Sequence, residues 1–158
     1  MSFIPVFACL CAVQAPPETQ FDFWVGTWNL DIETRRDPSV KEWTKTKGKN
    51  VIEKILDGKV VQENFSGGAL TGKSWSVYSP ATKSWRQTWV DNSSGYIVLN
   101  GKWEDDKMVL YDQPPQGAKH HRMIYQDVKK DSFEWLWEVE AGDGKWEPVF
   151  KCHYHRAS

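Results

Sequence analysis

Cysteine is scarce: only three of the 158 residues, and Cys9 and Cys11 both lie in an apolar N-terminal stretch. If that stretch is removed, Cys152 stands alone, so no intramolecular disulfide is expected to hold the fold. Charge of one sign is lacking too. Lysine and arginine number 20 against 21 aspartate and glutamate, a net charge of -1, which excludes an electrostatic pull toward nucleic acid or an acidic membrane surface. The longest apolar run, Phe3 to Val13, is too short to cross a bilayer as a helix, so no membrane span is expected. No nucleophile elbow, H-E-x-x-H or paired-cysteine zinc pattern occurs, and the reading therefore assigns no cofactor and no metal. There is no internal repeat and no low-complexity linker to mark a second domain.

What the chain does have is tryptophan. Ten Trp, seven Phe and five Tyr bring aromatics to 14%, and rings in that number need an interior or a ligand wall. The N-terminus is different in kind. Residues 1–17 carry no charged side chain and Glu18 is the first acid. The apolar run followed by Val13-Gln14-Ala15 has the length and small residues of a secretory leader. Residues 1–15 are read as a signal peptide and 16–158 as one domain, secreted or periplasmic.

From Phe21 onward, short alternating segments are separated by turn chemistry, with no helical stretch. Phe23 to Thr34 places Trp24, Trp28, Leu30 and Ile32 on one face. Lys41 to Lys49 follows, with Trp43 and four lysines on one face in the manner of a lysine-protected edge strand. Val51 to Leu56 and Lys59 to Phe65 flank Asp57-Gly58, a type I′ hairpin signal. Further strands are expected at 73–78, 84–90, 96–103, 107–111, 120–127, 133–140 and 147–156. Ten or eleven strands at this spacing, without crossovers, predict an all-β, antiparallel up-and-down barrel.

The segment Phe21-Asp22-Phe23-Trp24-Val25-Gly26-Thr27-Trp28 contains the G-x-W of lipocalins. It is more similar to the F-D-F-x-x-G-x-W opening of a family of small bacterial lipocalin-like (calycin) proteins of unknown function. Matching pieces continue through Ile55-Leu56-Asp57-Gly58, Tyr78-Ser79-Pro80, Trp85 to Asp91, Gly101, Arg122, Asp143-Gly144-Lys145-Trp146 and Tyr154-His155-Arg156. The resemblance implies a calycin barrel and no established activity. It also implies that Trp28 packs at the barrel base beneath an arginine of the last strand, the place Arg156 occupies. Nitrobindins, related barrels that hold haem through a histidine, open with G-x-W-x-G-x-G. Asn29-Leu30-Asp31-Ile32 does not match that pattern, so haem is not expected.

Candidate site residues come from inward faces. Trp85, Gln87 and Trp89 alternate with Arg86, Thr88 and Val90, and a polar Gln between two indoles has the composition of a small-molecule pocket. Tyr125, Trp137 and Glu63 are the next expected lining residues, although Val60 and Val61 leave the face of the Glu63 strand undecided. Phe133, Trp135, Trp137 and Val139 face inward, as do Phe150, Cys152 and Tyr154. That leaves His153 and His155 outside, which argues against a metal site there. His121 points inward if Met123 and Tyr125 do. Gly67 to Ser74 fits G-x-x-x-x-G-K-S letter for letter, but the P-loop needs a following helix. Residues 73–78 alternate like a strand, so a turn between strands is expected.

Two functions follow. The first is a carrier for a small apolar or aromatic molecule. The second is a small acid/base enzyme (isomerase, cyclase or hydrolase) using Glu63, His121 and Tyr125, with Arg86 or Arg122 as oxyanion partner. Pairing with a second copy as a homodimer is left open. A surface around Trp43 and its lysines is the plainer, interaction-only reading.

Overall fold

Ten antiparallel strands carry the alternation into three dimensions: β1 (Gly26–Thr34), β2 (Thr44–Ile55), β3 (Val60–Gly67), β4 (Leu70–Ser79), β5 (Ser84–Asp91), β6 (Tyr96–Glu104), β7 (Lys107–Asp112), β8 (His121–Gln126), β9 (Ser132–Glu140) and β10 (Trp146–Arg156). Each pairs with its neighbour in sequence, and β1 also pairs with β10, so the sheet closes into a barrel. The computed structural model describes residues 16–158. The expected signal peptide, with Cys9 and Cys11, lies outside the described residues.

Several boundaries differ from the sequence reading, each for an identifiable reason. The basic segment and Val51 to Leu56 form one strand, β2, of 12 residues. Asn50, which reads as a break, is instead fully buried and spends its side chain inside the barrel. The lysine-rich segment is not an edge, since β2 is bonded to both β1 and β3. Its lysines pair across the outer surface, Lys45 with Glu33 and Lys47 with Asp31. Trp43 is half-buried rather than displayed, with Lys151 Nζ 4.1 Å and the Arg35 guanidinium 4.7 Å from its ring. The Asp57-Gly58 turn sits within a four-residue connection, and Leu56 joins it at positive φ. Finally, Trp24 belongs to a short 3-10 turn, Asp22–Trp24, and not to a strand.

That turn, with Phe21 just before it, plugs one end of the barrel. Phe21 and Trp24 are fully buried there. Phe21 stands edge-on to Trp85 at 4.8 Å and to Tyr125 at 5.2 Å. The Trp28 indole N–H donates to the Trp24 carbonyl at 2.8 Å. Arg156, directly opposite Trp28 in the β1–β10 register, lays its guanidinium 4.1 Å from the indole ring. The same guanidinium donates to the carbonyls of Val25 and Lys130. Gly26 makes room for it, because a Cβ there would lie 2.5 Å from Arg156 Nη1, and its φ of +133° favours glycine in any case. The contact of Trp28 and Arg156 that the resemblance implies is thus present.

Candidate functional site

Opposite the plug, the barrel interior widens into a cavity of about 180 Å³. Its walls are aromatic: Phe65 from β3, Trp89 from β5, Trp135 and Trp137 from β9, and Phe150 and Tyr154 from β10. Neighbouring rings meet steeply, Phe65 with Trp89 at 68° and Trp135 with Phe150 at 85°. β10 is kinked by a bulge at Pro148, after which Phe150 resumes the ladder opposite Trp137. Trp89 owes its position to Gly72 across the β4–β5 ladder. A Cβ at Gly72 would land in the indole ring.

The polar part of the lining is acidic. Glu63 from β3 is buried, and the register that sets Glu63 opposite Ser74 and Ile52 resolves the face of its strand as inward. Asn50 donates to one carboxyl oxygen at 2.6 Å, and the Ser74 hydroxyl meets the other at 2.6 Å. Gln87 donates to the Ser74 oxygen at 3.1 Å, and Asn50 donates also to the Tyr154 hydroxyl at 3.0 Å. No lysine or arginine reaches this carboxyl among the described residues. Burial pushes its pKa up to about 7, against the downward pull of the Ser74 and Asn50 hydrogen bonds. Burial, and after it the Glu63 charge, also pushes the Cys152 thiol and the Tyr125 and Tyr154 hydroxyls up, so all three are neutral near pH 7. Asp91, toward the mouth, behaves oppositely. The Trp89 indole N–H donates to it at 2.8 Å and the amides of Ser93 and Gly95 at 2.8 and 2.9 Å. These bonds hold its carboxyl below the usual range.

The sequence candidates divide by height along the barrel. Glu63, Trp89 and Trp137 line the cavity. Trp85, Gln87 and Tyr125 are inward and buried, as their alternation predicts, but they do not line it. Trp85 and Tyr125 pack in the plug, with the Trp85 indole donating to Gln20 at 3.2 Å. Gln87 joins the site at second hand, through Ser74. His121 lies at the rim, its ring stacked at 7° on Trp137 and its Nδ1 2.9 Å from Asp112. It does not line the cavity. Arg86 is exposed, and Arg122 bonds Glu138 at 2.6 Å beneath Trp146, so neither arginine faces the interior. His153 and His155 are outside, each against a carboxylate, Glu134 and Asp31 respectively. Gly67 to Ser74 is the β3–β4 turn and the start of β4, with no helix following.

Asn50 and Ser74 were not singled out from sequence. Their signal was parity: Asn50 is two residues from Ile52, and Ser74 is in step with Ser76, both buried.

Residues 16–156 match the family described as Protein of unknown function (DUF1579), and the chain belongs to that family. No curated protein matches the chain.

Proposed function

From membership of a family whose description assigns no activity, we propose that this barrel is a lipocalin-like carrier for one small aromatic or apolar molecule. The observation that carries this reading is the cavity: about 180 Å³ walled by six aromatic side chains beside one buried acid. An apolar cavity of about 150 Å³ is enough to hold a single aromatic ring, and a mostly apolar lining with few polar groups is what ligand pockets share. Action outside the cytoplasm fits the leader read at residues 1–15. Native mass spectrometry of the protein purified from its host is the test. The expected spectrum shows an added small-molecule mass that disappears on denaturation. A protein that arrives bare, and takes up no single-ring aromatic at millimolar concentration, would overturn the proposal.

One observation favours a second reading, an acid/base enzyme. Glu63 sits at the cavity wall with a carboxyl held near neutrality, the condition for exchanging protons at working pH. Any compound that co-purifies would then exchange hydrogen for deuterium in heavy water. The Glu63→Gln variant would stop that exchange, and exchange at the wild-type rate in the variant would remove Glu63 from any catalytic role.

A further inference from the structure

The cavity's walls and its charges point to one class of guest, an inference that rests on the carrier reading above. Six aromatic side chains line it, and adjacent pairs stand at 68° and 85° to one another, so the lining is a set of steeply angled rings rather than one flat stack. Ring faces carry the negative end of the aromatic quadrupole. Among the described residues, no lysine, arginine or histidine lines the cavity, whereas Glu63 and Asp91 both do.

Glu63 is the telling member. A carboxyl buried in apolar surroundings ordinarily has a guanidinium or ammonium partner, because an unpaired charge there is costly. Glu63 has two neutral hydrogen-bond partners, Asn50 and Ser74, and no cation. An anionic guest would be repelled by Asp91 and by Glu63 whenever it is ionised. A neutral guest would fill the volume but leave Asp91, and Glu63 whenever it is ionised, without a cation. A cation satisfies the rings and the carboxyls together.

We propose that the cavity binds a small organic cation, an ammonium group on a single ring or short apolar frame, with Glu63 and Asp91 supplying the countercharge. The rings contribute cation–π attraction, which is strongest where water is excluded. Selectivity for charge resides in the two carboxyls, and selectivity for size resides in the cavity.

The test uses three probes of one shape: benzylamine, benzyl alcohol and benzoate, titrated at pH 7.5 against tryptophan fluorescence and checked by calorimetry. Benzylamine is expected to bind at least about tenfold more tightly than benzyl alcohol, and benzoate more weakly than either. Glu63→Gln and Asp91→Asn are each expected to shrink the preference for benzylamine, and the double variant to abolish it. A near-ultraviolet circular dichroism spectrum matching the wild type in those variants would show that the cavity is still formed. Equal or tighter binding of benzyl alcohol in the wild-type protein overturns the cation proposal and leaves the carrier reading standing. So does a preference that survives in the double variant. Failure of all three probes to bind overturns both.

Discussion

A buried carboxyl without a countercharge ties stability to pH in a direction opposite to most acids, and Glu63 makes that sign measurable. Its pKa in the folded protein, about 7, lies above the ordinary 4.5, so the folded state holds the proton more tightly than the unfolded chain. The resulting stabilisation is fully present below about 4.5 and is lost as pH rises through about 7. Linkage puts the full span at about 3 kcal/mol. The titratable groups facing it, Cys152 and Tyr154 from β10 and Tyr125 from β8, are all pushed upward and stay neutral across this window. Asp31 and Asp91 are held low and contribute the opposite slope, at or below their ordinary 3.8. Urea unfolding at pH 5, 6, 7 and 8 should therefore show the wild-type protein losing stability relative to Glu63→Gln as pH rises. A difference that stays flat from pH 5 to 8 would mean that Glu63 keeps an ordinary pKa.

At the scale of the strand, the sequence spoke clearly about faces and poorly about height. Alternation put Trp85, Gln87 and Trp89 on one inward face, and they are there. Four residues of extended chain nevertheless span about 13 Å, so Trp85 joins the plug while Trp89 lines the cavity. Tyr125 and Trp137 part in the same way. Height depends on strand tilt and register in the closed barrel, which residue parity does not encode. Asn50 was lost for a different reason: its residue type reads as a turn, and only its partners Glu63 and Tyr154 explain it inside β2. Trp24 read as strand because its parity matched Trp28, while the 3-10 turn depends on packing against Phe21 and Tyr125. Gly72 shows what register adds. Gly72→Ala places a methyl group where the Trp89 ring lies, an overpacking expected to cost about 1–3 kcal/mol. Urea denaturation should show that loss, and near-ultraviolet circular dichroism should report the displaced indole. An unchanged spectrum and stability would mean that Trp89 does not lie against β4.

The whole molecule divides its labour between its two ends. Around the plug, Phe21, Trp24, Trp28, Trp85, Tyr125 and Phe133 are at most 2% exposed, and they bury the apolar area that drives folding. Closure of β1 on β10 removes the unpaired edges that would otherwise recruit another chain. At the other end, Trp89, Trp135, Trp137 and Phe150 are only partly buried, as rings must be if a guest is to cover them. Substitutions at the two ends should then fail in different ways. Phe21→Ala removes a fully buried ring and is expected to lower the unfolding free energy by about 3–5 kcal/mol. It should leave benzyl alcohol affinity in the surviving folded protein nearly unchanged. Trp137→Ala removes a partly buried wall and should cost under about 2 kcal/mol of stability while weakening benzyl alcohol binding severalfold. Urea unfolding and fluorescence titration of the same two variants check both halves. If Phe21→Ala impaired binding as much as Trp137→Ala, the plug and the cavity would be one cooperative unit. The barrel's end walls would then have to be treated as part of the binding site.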